Sequence, residues 1–393
     1  MNFMDYIAPT TTTVQAPPAP STLKTLGEAA APDIQKVDFS HADRSLYCGM
    51  RDNTNAPTFA EAGKALLAAQ EADGTRSDVS GVDLSRSRIA VDTGRLVLNT
   101  ERGTFPLRLQ AAKQICQQVK APWAYLKTLP AEKALGALNW SLGTHGKADR
   151  TLRLAGDEAR ALVSDRYGAM DDRTWLRMVF QALREADLLD EARVPTWSTG
   201  KVTKMEVNFG DQATGPDGFM LRTGLGFRNG ELGNAPASGH GIGFRIVCAN
   251  SLTRSSKAGA WKRRHVGDPK AQLADLVEAI PGLLNAGKAL VEGSYHAMGI
   301  ELSREAIEAR LKRMKLTKAE IARCVEEAAH EVHMRQTHAA YVDRASAEVY
   351  AEIADFTAWD MVNGLTAVGR DCNEQRGHEL EVLGASILED ILA

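Results

Sequence analysis

Cysteine is scarce in this chain, and none of it is arranged for cross-linking or metal binding. Five cysteines stand among 393 residues, an odd number with no Cys-x-x-Cys spacing. A disulfide framework uses paired cysteines and a structural zinc site uses short ligand spacings, so we expect ordinary reduced thiols. The sequence argues against a disulfide-stapled secreted module and against a zinc-ribbon type of fold.

Long hydrophobic runs are also missing. No apolar stretch approaches the ~18 residues that span a bilayer, and the start of the chain has no basic segment followed by an apolar core. Hydrophobic residues make up 44% and charged residues 25%, the balance of an ordinary globular protein. We expect a cytoplasmic protein with no membrane partner.

The familiar signatures of catalysis are absent as well. There is no Gly-x-x-x-x-Gly-Lys-Ser/Thr phosphate loop and no Gly-x-Ser-x-Gly elbow. The glycines at 239, 241 and 243 precede a strand instead of opening a helix, so we interpret them as a hairpin connection and not as a dinucleotide loop. His330 and His333 are three residues apart, whereas the zinc-protease pattern needs four. The sequence predicts no catalytic residue, no metal and no cofactor.

Charge is distributed unevenly along the chain. Residues 1–199 are balanced, with 24 Lys and Arg against 24 Asp and Glu. Residues 200–270 carry 11 against 5, and residues 271–393 carry 12 against 21. The net charge of −3 therefore conceals a basic middle, which indicates an anionic partner for that segment alone.

Three regions follow from composition and periodicity. Residues 1–35 contain five prolines and a run of four threonines, which predicts a disordered tail. Residues 36–270 mix helical stretches with strands, and residues 271–393 follow a period near 3.6, as in helices. The predicted fold class is α+β: a central antiparallel sheet with helices packed on one face, then an acidic helical C-terminal region.

The clearest strands are three runs in the middle of the chain that alternate apolar and polar residues. Successive side chains of a strand point to opposite faces, so each run separates its apolar set from its polar set. Three such strands predict an antiparallel sheet with one buried and one open face. The cations predicted on the open face are Lys204, Arg222, Arg228 and Arg245, with Glu206 as the acid among them.

Glycines accompany these cations. Gly224, Gly226 and Gly243 would let a bulky ligand approach the backbone of the open face. Such a face can hold a nucleic-acid backbone. Polar residues also occupy the solvent side of many antiparallel sheets, so both interpretations stay open.

A basic segment follows the third run. Between Arg254 and Lys270 there are six Lys and Arg against Asp268 alone. Its predicted phosphate contacts are Arg254, Lys257, Lys262, Arg263 and Arg264. Trp261 stands among them, and stacking of a base on its ring would contribute about 1–3 kcal/mol. The alternative is a solvated loop whose tryptophan is buried in the core.

The last residues form an apolar stripe. Leu380, Leu383, Ile387 and Ile391 recur at spacings of three and four, which indicates one face of a helix over 378–392. This stripe is a candidate contact for a homo-oligomer. Packing within the same chain also explains it, and we favour that explanation.

Three motifs together resemble a known family. They are Ala161-Leu162-Val163-Ser164-Asp165-Arg166-Tyr167, the segment Phe244-Arg245-Ile246-Val247-Cys248-Ala249-Asn250 with Arg264-His265, and Ala358-Trp359-Asp360-Met361-Val362-Asn363-Gly364-Leu365-Thr366. In this order they resemble the phage and plasmid-like family called domain of unknown function nine-three-two, over about residues 90–380. The chain departs from the family at Gly364, where alanine is expected, a change that should hardly affect helix packing.

The resemblance implies a genetic setting, but it implies no catalytic activity and no catalytic residues. The family occurs in bacteriophages, prophages and plasmids, so it implies work in their DNA metabolism or in conflict with a host. Our leading hypothesis is a non-enzymatic protein that binds single-stranded DNA or RNA, as an annealing or recombination accessory. The alternative is a protein-interaction or host-conflict module whose basic strip meets an acidic partner or its own acidic helices. An enzyme acting on nucleic acid is the weakest hypothesis.

Overall fold

The computed structural model describes residues 46–49, 56–168, 170–214, 220–245, 251–253, 260–266, 269–336, 347–370, 372 and 374–392. The chain is an α+β protein, which confirms the predicted fold class. A central antiparallel sheet carries helices on one face, and a helical region follows it. The predicted tail, residues 1–35, lies outside the described residues.

The described residues contain fifteen strands, eleven α-helices and one 3-10 helix, Leu84–Arg86. The strands are Leu46–Gly49 (β1), Arg76–Val82 (β2), Arg88–Asp92 (β3), Arg95–Thr100 (β4), Gly103–Pro106 (β5), Arg150–Ala155 (β6), Glu158–Ser164 (β7), Arg193–Thr199 (β8), Thr203–Thr214 (β9), Met220–Gly230 (β10), Ala235–Arg245 (β11), Ser251–Thr253 (β12), Ala260–Arg263 (β13), Glu301–Ser303 (β14) and Asp355–Thr357 (β15). The helices are Phe59–Ala72 (α1), Leu109–Gln118 (α2), Trp123–Leu126 (α3), Ala131–His145 (α4), Asp172–Glu185 (α5), Pro269–Met298 (α6), Arg304–Arg313 (α7), Lys318–Gln336 (α8), Ala347–Glu352 (α9), Ala358–Arg370 (α10) and Glu374–Leu392 (α11).

The central sheet has seven strands in the order β1-β8-β9-β10-β11, and β12 and β13 both pair with the outer edge of β11. Neighbouring strands in this sheet run antiparallel throughout. The long strands β9, β10 and β11 are the three alternating runs of the sequence, joined by short connections as antiparallel neighbours allow. The predicted sheet is therefore confirmed at its centre.

One face of this sheet is buried under α1, α5 and the first half of α6. Met205 and Val207 of β9 share this first core with Leu225 and Phe227 of β10. From α6 the core receives Leu276, Ile280 and Leu283. Full burial of each such side chain stabilises by roughly 1.5–3 kcal/mol. The first half of α6 therefore packs on the sheet that it follows in the chain, across the boundary predicted at residue 270.

The chain between α1 and α5 forms a second core. It is enclosed by two three-stranded sheets, β2-β6-β7 and β3-β4-β5, and by α2, α3 and α4. The hairpin between β3 and β4 turns at Thr93 and Gly94, which both have positive φ, 49° and 79°. That is the turn class whose twist matches paired strands. Its sequence, Asp92-Thr93-Gly94 between two short alternating runs, is typical of such a hairpin.

A third core forms the C-terminal region from the second half of α6 and from α7 to α11. Leu380, Ile387 and Leu388 of α11 are buried in it, while Leu383 and Ile391 are half-buried against it. The apolar stripe is thus used by intramolecular packing, and its use as an oligomer contact over 378–392 is not supported. A capping box of Thr317 and Glu320 opens α8, as its sequence indicates.

The glycine at position 364 is required by this packing. A Cβ built on Gly364 of α10 would meet the carbonyl oxygen of Cys324 in α8, which is backbone and cannot rotate away. The expectation that alanine would serve equally there is wrong. The two helices approach more closely than the periodicity of either one reveals.

Candidate nucleic-acid interface

Three of the predicted cations form a row across the central sheet. Lys204 on β9 pairs with Arg228 on β10, Arg228 pairs with Ser238 on β11, and Ser238 pairs with Lys262 on β13. Directly paired residues point to the same face, so these side chains share the face opposite α6. Lys262 is exposed, and Lys204 and Arg228 are half-buried. We call Lys204, Arg228 and Lys262 the basic row.

The geometry of the basic row follows from the sheet. Neighbouring strands lie about 4.8 Å apart, so the row spans roughly 14 Å from β9 to β13. Serines lie in the same row, with Ser238 between two of the cations and Ser198 of β8 paired with Lys204. Glu206 and His240 lie in the next row along the strands. A line of ammonium and guanidinium groups of this length can hold the phosphates of a strand.

The segment after Trp261 adds exposed charge next to the row. Arg263 and Arg264 are both exposed. The Arg263 guanidinium is paired with Asp275 of α6, with Nε 2.7 Å from Oδ2, and both side chains are about half exposed, 48% and 41%. Arg264 follows the end of β13 directly. Lys262 thus belongs to the row, and exposed Arg264 follows it two residues later, whereas Arg263 is paired with a helix of the acidic region.

One of the predicted cations lies apart from the basic row. Arg222 lies on the same face, but it is only 7% exposed and six residues from Arg228, roughly 20 Å along the strand. The prediction that Arg222 joins an open basic face is therefore wrong. The backbone of Arg245 pairs with Leu221 at the end of β11, and its side chain lies outside the described part of the structure.

The strand β11 departs from the orientation that its sequence predicts. Its alternation is glycine against large apolar residues, and the sequence suggests that the large set faces the core. The structure has the reverse arrangement, because Gly239, Gly241 and Gly243 face α6 and allow its close approach. Ile242 instead pairs with Gly224 on the other face. The run at 239–243 lies inside a strand, so its interpretation as a hairpin connection is wrong.

The other glycines also serve the chain itself. The imidazole of His240 lies across Gly226 on the neighbouring strand, where any side chain would collide with it. Burial lowers the pKa of His240 well below its ordinary value, and the positive groups of His378, Arg228 and Lys204 add to this effect. The space beside Gly226 and Gly243 is filled by a ring and a helix, so these glycines are not gaps for a bulky ligand.

Trp261 is not a stacking platform. It is 4% exposed and belongs to the first core with Phe227 and Leu276. The register of β13 explains this, because Trp261 pairs with Gly239 on the face that α6 covers. The alternative of a buried tryptophan is the correct one. Arg254 and Lys257, the two remaining candidates, lie outside the described residues.

Sequence reasoning missed a buried charged cluster at the turn between β10 and β11. Arg160 of β7 contacts the Glu231 carboxylate, with Nη1 2.5 Å from Oε1, and both side chains are 3% exposed. Arg76 of β2 lies 3.8 Å from the same oxygen. Arg153 of β6 donates to the Glu231 carbonyl at 2.6 Å. Glu231 thus ties the central sheet to the three strands β2, β6 and β7.

Electrostatics fix the charge of Glu231. Burial raises the pKa of its carboxyl, but the charges of Arg160, Arg153 and Arg76 outweigh burial and hold that pKa well below its usual range. Burial also raises the pKa of nearby Asp172, and the negative charge of Glu231 raises it further. Of the two carboxyl groups, Glu231 therefore ionises at a lower pH than Asp172.

A chain of hydrogen bonds continues from Asp172. Thr203 donates to its Oδ2 at 2.5 Å, and the amide of Asn229 donates to its Oδ1 at 2.7 Å. Because that amide nitrogen also donates to the Met170 carbonyl, the Asn229 oxygen is the acceptor for Nε2 of His265 at 2.7 Å. Burial lowers the pKa of His265 to about 4, and the charge of Arg153 lowers it too.

This network is buried, and it connects segments of the fold that are distant in sequence. Asp172, Asn229 and His265 are at most 4% exposed. Their partners come from distant parts of the sequence, from Gln70 to His265, which is why no local motif marks them. One signal was present in the sequence: Arg153 and Arg160 stand inside apolar strand sequences, and a buried cation needs a buried partner.

The predicted absences concern metals and membranes. Within the described ranges, no group of three His, Cys, Asp or Glu side chains is placed to hold a metal ion. His330 is instead within hydrogen-bonding distance of the Tyr350 hydroxyl, 2.7 Å from Nδ1. None of the helices in the described part of the chain is both long and apolar enough to span a bilayer.

Comparison of the chain with protein-family profiles, curated proteins and solved structures found no match in any of the three. The resemblance to the phage and plasmid-like family therefore stays a prediction from the residues. Tyr167 and His265, which belong to two of its three motifs, pack together with ring centroids 5.2 Å apart. These two motifs thus meet at the buried network and not at the basic row.

Proposed function

We propose that this protein binds single-stranded nucleic acid through the basic row, without acting on it as an enzyme. The observation that carries the proposal is the alignment of Lys204, Arg228 and Lys262 in one register across four strands. Three cations that are one and two strands apart can neutralise phosphates of the same nucleic-acid strand and release their counterions. Exposed Arg264 extends the charge beyond the end of β13.

The proposed setting is the DNA metabolism of phages or plasmids, in the cytoplasm, as an annealing or recombination accessory. Its support is the resemblance of the three motifs to the phage and plasmid-like family. A backbone-directed surface suits such work, because an annealing protein must hold strands of any sequence. The basic row contacts phosphates in this proposal and reads no base.

The test is the salt dependence of oligonucleotide binding. We expect wild-type protein to bind an unstructured oligo(dT) and to lose affinity steeply with salt. Lys204→Gln, Arg228→Gln and Lys262→Gln combined should lower the log–log slope by about 2, at about 0.7 for each single-strand phosphate that is no longer neutralised. The measurement is a fluorescence-anisotropy titration at several salt concentrations.

The matched control removes the same charges elsewhere. Lys312, Arg313 and Lys315 are exposed at the end of α7 and just beyond it. Their combined change to glutamine should leave both affinity and slope near wild type. Equally weakened binding in the two triple variants would show a general charge effect and remove the basic row from the proposal. Absence of any binding at low salt would refute the proposal itself.

A second candidate function has a specific observation in its favour. Arg263 already binds Asp275, and Glu278 lines the same crevice between β13 and α6, about 370 Å³ in volume. His378 of the acidic helix α11 also packs beside His240, with ring centroids 5.9 Å apart. The acidic helices therefore stand next to the basic segment. In this alternative the basic strip meets acidic protein groups, those of its own helices or of a partner.

Asp275→Asn tests whether the acidic helix competes for the basic segment. An exposed ion pair is worth about 0.2–1 kcal/mol, so release of Arg263 should tighten oligo(dT) binding about 1.4- to 5-fold. Glu292→Gln, a change on the same helix, controls for net charge and should have a smaller effect. Identical affinities for the two variants would mean that Asp275 does not compete.

A further inference from the structure

A groove of about 650 Å³ opens at the surface of the second core, between α2 and α3. Its walls include Lys113 and Gln117 of α2, Lys120 in the connection, and Trp123 at the start of α3. Buried Cys116 also lines it. The groove thus combines exposed ammonium groups with a half-buried indole ring.

The lysines of this groove have no acidic neighbour to neutralise them within the described part of the chain. No carboxylate there lies within ion-pair distance of Lys113 or Lys120. Burial lowers the pKa of Lys113, and the positive charges of Lys201 and Lys127 lower it further. Like charges that crowd a lysine without a compensating acid create a positive potential, which an anionic ligand relieves.

The groove also lies at the end of the central sheet that is nearest to the basic row. Gln114, the neighbour of Lys113, donates to the Leu232 carbonyl in the β10–β11 turn at 2.7 Å. The β8–β9 turn is at the same end of the sheet, since Thr203 pairs with Asn229. That turn carries exposed Lys201, three residues before Lys204. Lys201 therefore connects the basic row with α2, because it is close to Lys204 in the chain and its charge acts on Lys113.

We propose that this groove continues the nucleic-acid path, with a base stacked on Trp123 and adjacent phosphates held by Lys113 and Lys120. The inference rests on the proposed function and extends it from the sheet to the second core. Stacking needs a ring that a base can reach, and half-buried Trp123 is more exposed than buried Trp261. Because every base has a π face, the site is tolerant of sequence.

Two variants separate stacking from charge. Trp123→Leu still packs against the second core but has no aromatic face, so affinity for oligo(dT) should fall about 5- to 150-fold with an unchanged salt slope. Lys113→Gln with Lys120→Gln should lower the slope by about 1.4. Trp140→Ala, a change of a tryptophan that is 67% exposed on α4, and Lys312→Gln with Lys315→Gln are the matched controls.

The results distinguish this inference from the proposed function. Wild-type affinity and slope in both groove variants, together with weakened binding in the basic-row triple variant, would overturn the groove and leave the row intact. Failure of wild-type protein to bind oligo(dT) at low salt would overturn both. Thermal melting of Trp123→Leu shows whether it is folded, and the lysine double variant tests the groove without changing a packed residue.

Discussion

Replacing Glu231 by glutamine is expected to destabilise the protein by about 3–5 kcal/mol, because it breaks a buried ion pair by removing one partner. Glutamine keeps the shape of the side chain and one acceptor oxygen. It leaves the guanidinium of Arg160, which is 3% exposed, without a countercharge on that side. Arg153 and Arg76 are deprived of the same countercharge. The measurement is the urea midpoint, followed by far-ultraviolet circular dichroism.

A surface pair of the same chemistry is the control. Glu101 pairs with Arg86 at 3.3 Å, and the two side chains are 65% and 69% exposed. Glu101→Gln should therefore change stability by less than about 1 kcal/mol. Equal midpoints for the two variants would mean that Glu231 does not hold the two sheets together.

The same variant has a pH signature. The pKa of Glu231 is lowered in the folded protein, so its contribution is fully present above the unfolded glutamate pKa of about 4.3 and is lost as pH falls towards the folded pKa. The difference between wild type and Glu231→Gln should therefore shrink below about pH 4. Asp172 has the opposite sign: its raised pKa gives stability that is lost as pH rises through the folded pKa.

The fold was predictable where local periodicity and packing agree. The alternation of Met205, Val207 and Phe209 with polar residues predicts β9, and its apolar set does face the core. The same rule fails for β11, because the buried face there is chosen by a helix that needs glycine and not by the larger side chains. Nothing in the sequence of β11 alone shows how closely α6 approaches.

The type of site could be predicted from the sequence, but the positions of only some of its residues could. Lys204, Arg228 and Lys262 come together because their register follows from consecutive antiparallel strands. The aromatic partner was misplaced, since a one-residue difference in strand parity decides whether Trp261 or Lys262 faces solvent. Trp123 was overlooked because part of the positive charge near its groove is brought there by the fold. Lys113 and Lys201 are far apart in sequence and interact only once α2 is docked on the sheet turns.

Gly241→Ala is expected to destabilise the protein by about 1–3 kcal/mol through overpacking. A Cβ at this position would lie 2.5 Å from the backbone nitrogen of Gly287 and would also meet the carbonyl oxygen of Leu283. Both atoms belong to the backbone of α6, so no rotamer change relieves the clash. The helix must shift away from β11, and the core formed by Leu276, Ile280 and Leu283 loosens with it.

Gly282→Ala, on the exposed side of the same helix, gives the opposite sign. Nothing lies within 4 Å of a Cβ built there, and the residue is inside α6. Alanine should stabilise the helix by roughly 0.5–1 kcal/mol, because it loses less conformational entropy on folding than glycine. Urea midpoints that move in opposite directions would establish that the glycines of β11 admit a helix. An unchanged urea midpoint for Gly241→Ala would instead indicate that the strand segment 239–243 is open and accessible to a ligand.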